Sequence, residues 1–521
     1  MTLPLATRFP DLTLRPPTTF RELSEELQNQ VRIDTAITRT LFQELTQEWG
    51  DLKKFRDYYN GEQSLVFGSE KFKEFFPNFK GFEDNWCQVV IDAVADKIKL
   101  IGIDLDSSEE EDNEVDSIEE NPLSKRIWDV LRDNDIDEQQ GDLTEGTLVE
   151  GRAAVIVWPD EILGARVDWN PAQLIKVRYS EEDYKKIDFA VKRWETPAGE
   201  IRVNVYDDRE VRKYVESRTN QLQDPSKAGI AALIPDMAPS QGLQPRFTLG
   251  ESWPLPHDFK MVPVVEFLNK RGSELSDVIP LQDAINYLIT AGFIAADFNA
   301  VKQKVFFTHL KAPVGGWKSE PGRVWHLAPM VDSDGKITHG MMDQFDESEL
   351  GQYRTFVEMI LQHLALTSKT PVRMFFKSDR SGRGDAPSGE SQLVEDEPLL
   401  DKCDDRETRM GNKWFQVVKL IAKALGENGP IRGEMVWQDH RSKYRSALLD
   451  EAIKLANAKA GLGLPIHWVV KRLGLSPEEL VELQAMLKAQ EKEQEQLRQE
   501  QMAVAGQQGN GDTSQLPSSD E

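Results

Sequence analysis

Apolar residues recur along this chain with two different periods, and the change of period maps its elements. Leu23, Leu27, Val31, Ile37 and Leu41 form a helical stripe within an N-terminal arm of residues 1–50, since side chains three and four apart share one helix face. Phe55-Arg56-Asp57-Tyr58-Tyr59-Asn60-Gly61 reads as an aromatic helix end stopped by Asn-Gly. Trp86, Val90, Val94 and Ile98 repeat every four residues, which predicts a helix with one buried face that runs until Gly102. Beyond a helix around Ile127, Trp128 and Leu131 the period becomes two. Residues 153–158, 187–191 and 201–206 are strand-like runs bounded by Pro159, Pro197 and Gly199, so a small sheet is expected. Residues 217–256 are rich in Pro, Gly, Ser and Gln and read as a long excursion, and a strand resumes at 262–267.

The section from Ser276 to Gly426 is the most informative. A helix over 279–300 would be roughly 33 Å long at about 1.5 Å per residue. Leu281, Ile285, Leu288, Ile289 and Phe293 give it an apolar stripe, and Asp283, Asn286, Thr290 and Asp297 give it a polar face that could line a passage. A module of short strands and tight turns follows, with Gly315-Gly316-Trp317, Pro321-Gly322-Arg323 and Asp334-Gly335-Lys336 as its turns. A second long helix begins after Asp346, with Glu349 at the capping-box spacing, and buries Leu350, Tyr353, Val357, Ile360, Leu361 and Leu364. Residues 369–390 set Lys369, Arg373, Lys377, Arg380 and Arg383 against Asp379, Asp385 and Glu390 in a glycine-rich context, which reads as a flexible basic loop. A third helix runs from Ser388 to Gly426, and Pro398 must bend it near Glu397 because proline removes a ladder hydrogen bond. Residues Tyr444 to Leu487 read as several helices separated by Gly461, Gly463 and Pro465, and 491–521 as a polar tail whose end is too poor in apolar residues to fold.

Composition narrows the function. The chain has 521 residues, a length suited to roughly three to four domains of about 150 residues. A net charge of −26 argues against strong nucleic-acid binding, which needs clustered Lys and Arg. The run from Asp104 to Glu120 is so acidic that a solvated loop is expected there. No apolar stretch approaches the ~18 residues that would span a bilayer, and the first residues lack a leader pattern, so a cytoplasmic protein with no membrane partner is expected. Cys87 and Cys403 read as separate buried thiols. No P-loop, no H-E-x-x-H and no G-x-S-x-G occurs. His309, His326 and His339 lack a His or Cys at ligand spacing, so neither a metal nor another cofactor is expected.

The order of elements identifies a resemblance. Tyr58-Tyr59-Asn60-Gly61, Asp84-Asn85-Trp86-Cys87-Gln88-Val89-Val90-Ile91-Asp92, residues Asp277 to Asn286 and Pro387-Ser388-Gly389-Glu390, with two long helices around a small module, together resemble the portal proteins of tailed double-stranded DNA bacteriophages over roughly residues 55–480. The resemblance implies an α+β ring subunit with no catalytic activity. Its parts would be an α/β wing over 51–275, stem helices over 276–300 and 346–368, a small α/β clip over 301–345, a tunnel loop over 369–390, a kinked wing helix and strand over 391–438, and a helical crown over 439–490. It further implies a homo-oligomeric ring, commonly of twelve subunits, in the virion at one capsid vertex and assembled in the host cytoplasm. Its partners would be the large terminase subunit, head-completion or adaptor proteins, major capsid and scaffolding proteins, and the double-stranded DNA that passes through. Lys369, Arg373, Lys377, Arg380 and Arg383 would then approach the duplex, with loop solvation or salt bridges as the alternative. A terminase-type packaging enzyme is disfavoured by the missing nucleotide motif, and a cytoplasmic scaffold or adaptor is the other class left open.

Overall fold

The computed structural model describes residues 23–63, 84–105, 121–216, 243–248, 251–300, 304–307, 330–331, 333–338, 341–344, 350–375, 389–427 and 429–439. Helix α1 (Glu25–Asn60) starts where Ser24 Oγ accepts the Leu27 N–H at 3.3 Å, and Glu25 and Glu26 favour the positive end of its dipole. It stops at Gly61, whose φ of 72° places it in the left-handed region that glycine adopts without a Cβ clash. One continuous helix therefore crosses residue 50, the position expected to divide arm from wing. Val31, Leu41, Phe42 and Leu45 pack α1 on a sheet, and Tyr58 at its end enters the main core.

Helix α2 (Trp86–Ala95) begins at Asn85, whose side chain accepts the Gln88 N–H at 3.2 Å. It ends earlier than the apolar spacing suggests. Ile98 is buried beyond the helix, and Leu100–Leu105 form strand β1 instead of a helix end. The reason is a distant partner: β1 pairs antiparallel with β15 (Gly433–Trp437), and the Leu100 N–H donates to Gln140 Oε1 at 2.7 Å. Helix α3 (Pro122–Asp133) carries Pro122 in its first turn under an Asn121 cap, and α4 (Ile136–Glu150), which the periodicity did not reveal, lies beside it. The low legibility of α4 has a cause, for Ile136, Leu143, Thr144, Gly146, Thr147, Leu148 and Val149 are buried around most of its circumference and leave little amphipathic contrast.

Two larger antiparallel sheets follow these helices. Strands β2 (Arg152–Asp160), β3 (Gly164–Pro171) and β10 (Val264–Leu268) are ordered β10-β2-β3. Strands β4 (Ile175–Tyr179), β5 (Ile187–Glu195), β6 (Ile201–Tyr206), β7 (Glu210–Glu216) and β8 (Leu243–Pro245) follow in register order, and β9 (Leu255–Pro256) also pairs with β7. The excursion after residue 216 thus contributes two short strands. One face of the larger sheet meets α1 through Val191, Val203, Val205 and Tyr214, and the other meets the smaller sheet through Ala190, Tyr206, Ile156 and Val264.

The long helices are α5 (Ile279–Ala300) and α6 (Leu350–Ser368). They pack closely enough that a Cβ on Gly292 would sit 3.7 Å from Tyr353 Cβ. Between them lie the strand pairs β11 (Lys304–Phe307) with β14 (Met341–Gln344) and β12 (Met330–Val331) with β13 (Ile337–Thr338). Helix α7 (Gly389–Ala424) has Pro398 in its interior and buries Leu399, Cys403, Trp414, Val417 and Ile421. Both cysteines are free and buried, and burial pushes each thiol up to about 12. The acidic run 106–120, most of the module between the long helices with His309, His326 and His339, the short helices after residue 439 and the tail lie outside the described residues. No described helix is long and apolar enough to cross a membrane.

Candidate functional site

Three of the four sequence segments that carry the family resemblance meet at the root of α5. Asp283 Oδ1 accepts the Tyr58 hydroxyl at 2.6 Å. Gln282 Oε1 accepts the Trp86 N–H at 2.8 Å while its amide donates to the Asp84 carbonyl at 2.8 Å, and Asn286 Oδ1 accepts the Asp84 N–H at 3.0 Å. Asn85 closes the joint by donating to the Tyr59 carbonyl at 2.7 Å. Gln282 and Asn286 are buried, so their bonds satisfy groups that could not otherwise find water. The first two turns of α5 are thereby fixed to the ends of α1 and α2.

This joint corrects the expectation of a polar face lining a passage. Asn286 and Thr290 are only 2% and 5% exposed within a single subunit, and Asp283 is held by Tyr58. A helix can bury its polar side when the neighbouring backbone offers donors and acceptors. The Asp297 side chain lies outside the described portion. Among the described side chains of α5 the large exposed ones are instead hydrophobic: Tyr287 and Phe293 are 53% and 47% exposed. On α6, Leu350, Phe356, Met359 and Leu366 are 43%, 52%, 44% and 74% exposed. The root of α5 is thus buried on both sides, for Ile285 of the apolar stripe is also fully buried and Leu281 and Ile289 pack on the main core, and polarity alone did not mark a solvent-facing side.

A second joint holds the start of the basic loop. Lys369 follows α6 in the left-handed region with φ 59°, and the Thr370 N–H returns to the Ala365 carbonyl at 3.0 Å. A single turn of 3-10 helix, Val372–Met374, then leads to Phe375, which is buried and stands 5.7 Å from the Trp86 ring. Lys369 is exposed. Arg373 is committed elsewhere: its guanidinium is paired with the buried Asp396 on α7, lies 3.7 Å from Glu395 and donates to the Gln392 carbonyl at 3.4 Å. Lys377, Arg380 and Arg383 lie outside the described residues.

Lys402 anchors the same region from the other side. It is 7% exposed, donates to the carbonyl of Ser368 at 3.0 Å and pairs with Glu274 at 3.1 Å. Glu274 also accepts from Arg406 and Asn269. Burial raises the Glu274 pKa, but Lys402 and Arg406 outweigh it, and the carboxyl ends below the usual glutamate range. Sequence reading singled out none of Asp396, Lys402 or Glu274, because nothing local distinguishes these charges from the surface charges around them. Among the described residues no cluster of His, Cys, Asp and Glu could hold a metal ion.

Residues 39–500 match the family described as "Phage portal protein, SPP1 Gp6-like", a span that includes both joints and both long helices. The chain belongs to the phage portal proteins. As a portal protein it is a structural component of the virion, built into a multi-subunit phage assembly. Its α+β architecture, with helices and antiparallel sheets segregated along the chain, agrees with that family. A chain of the solved structure described as "Virion of native gene transfer agent (GTA) particle" is 11% identical, with a TM-score of 0.37 over 75% of the portal chain and 89% of its own length. No curated protein matches the portal sequence.

Proposed function

We propose that this portal protein closes into a ring, of twelve copies by analogy with its family, which serves as the conduit for genome packaging and for later DNA exit. The observation that carries this reading is the apolar outer surface of the stem. Two long helices already packed on each other leave Leu350, Phe356, Met359 and Leu366 exposed, and a second copy set head to tail would cover them while repeating around an axis. Membership of the portal family supports the same arrangement. Residues 301–345 would be the clip that docks the large terminase subunit and later the head-completion proteins. Capsid and scaffolding proteins would surround the ring, which would assemble in the host cytoplasm.

The charge of the molecule suits a conduit. A ring of subunits each of net charge −26 has an overall field that repels phosphates, and a few cations on a loop make only weak, exchangeable contacts that salt screens further. Lys369, Lys377, Arg380 and Arg383 are the cations assigned to DNA. Arg373 is withdrawn, because Asp396 already neutralises it. Asp297 remains the single channel-facing candidate on α5. Covalent chemistry has no part in this role. Electron microscopy of the purified protein should show closed rings with an axial opening, and substituting Lys377, Arg380 and Arg383 by Ala together should change the DNA length packaged per head. A protein without an axial hole would overturn the ring, and unchanged packaging would remove the loop cations from the mechanism.

A further inference from the structure

The polypeptide between the end of α6 and Phe375 is pinned to α7 at two places that flank Pro398. On the N-terminal side Arg373 pairs with Asp396, two residues before the proline, and on the C-terminal side Lys402, four residues after it, donates to the Ser368 carbonyl at 3.0 Å. Six residues separate the two anchor points, about 9 Å along a helix axis. Pro398 has no N–H to offer the carbonyl of Val394, so α7 is intrinsically weakest between them. The two cations bridge that weak place from outside and use one short segment of chain as the splint.

We propose that Arg373 and Lys402 are positioning residues that fix the first residues of the basic loop to both halves of α7, and so set where the cations further along the loop are presented. The proposal rests on the conduit reading for what the loop meets. Its physical basis is the burial of the partners. Asp396 is 2% exposed and Lys402 7%, and a buried charge stripped of its partner is costly enough to force rearrangement. Lys402 also takes Glu274, which lies just before α5, so one ammonium ties the start of the first stem helix to the end of the second. A DNA-contacting arginine would behave otherwise, because it needs an open charge, and that of Arg373 is spent inside the subunit.

The test is a double-mutant cycle in complemented phage particles: Arg373→Ala, Asp396→Asn, both together, and the exchange Arg373→Asp with Asp396→Arg, with Lys402→Met as an independent variant. Ring formation and melting of the purified proteins are followed alongside DNA-filled heads, scored well below each variant's melting temperature. Both single variants should lower filling, the double should be no worse than either single, and the departure from additivity should be about threefold or more. The charge exchange should recover part of the loss, and Lys402→Met should lower filling while rings persist. If Asp396→Asn leaves filling intact while Arg373→Ala reduces it, Arg373 touches DNA and the proposal fails. It fails equally if the rings melt earlier yet fill normally, which would make the pair merely structural. Failure of the conduit reading looks different, because wild-type rings would then lack an opening whatever the state of the pair.

Discussion

A buried carboxylate destabilises a fold unless its charge is matched, and this protein holds examples of both outcomes. Glu266 and Glu150 are raised above the usual glutamate range because burial outweighs Tyr179 and Arg152 for the first and Arg56 for the second. Glu274 is lowered, because Lys402 and Arg406 more than offset its burial. The sign of the pH dependence follows. An acid whose folded pKa lies below its unfolded value of about 4.3 contributes stability that is complete above that value and lost as pH falls through the folded pKa. Glu274→Gln should therefore melt well below the wild type at pH 6, and the difference should shrink as the pH is lowered toward 3. Thermal melts across that range measure it, and a difference independent of pH would show that the charge of Glu274 contributes nothing. At this scale the sequence revealed residue types but not roles. Arg373 reads like any other cation of a basic loop, and its pairing with Asp396, twenty-three positions away, is not written in the local sequence.

Elements were legible where their pattern was local. The ends of α1 and α5 and the interior proline of α7 follow from Asn-Gly, from apolar spacing and from Pro398. The segment after Ala95 was misread because Ile98 continues a helical spacing, whereas the backbone of Leu100–Leu105 finds its hydrogen bonds on β15, more than three hundred residues away in sequence. Gly433 permits that pairing. Its φ is 149°, and a Cβ there would stand 2.2 Å from the Asp104 carbonyl oxygen, so no other residue fits without moving backbone. Gly433→Ala should cost roughly 1–3 kcal/mol or more, the range for enforced backbone strain, read as a lower denaturation midpoint. Gly429→Ala, where nothing lies within 4 Å, is the matched control and should leave the midpoint unchanged.

For the whole molecule, the exposed apolar side chains of α6 separate folding from assembly. Phe356 and Leu366 are 52% and 74% exposed, so an Asp at either position should leave the isolated subunit folded and interfere only where a neighbour would cover it. Phe356→Asp and Leu366→Asp should lower the ring fraction in sedimentation while the far-ultraviolet spectrum and melting of the subunit are retained. Rings formed at the wild-type level would place the subunit contact elsewhere.

By itself the sequence determined the long helices, the strand-rich stretch between residues 150 and 210 and the family, because these depend on periodicity, turn residues and ordered short motifs that are read along the chain. Which face of α5 is buried, which cation is already paired and where β1 finds its partner were decided only by the tertiary structure. Hydrogen bonds and ion pairs are satisfied by whatever group is nearest in space. In this chain, the groups that satisfy Asn286, Arg373 and Leu100 come from segments that no local pattern connects.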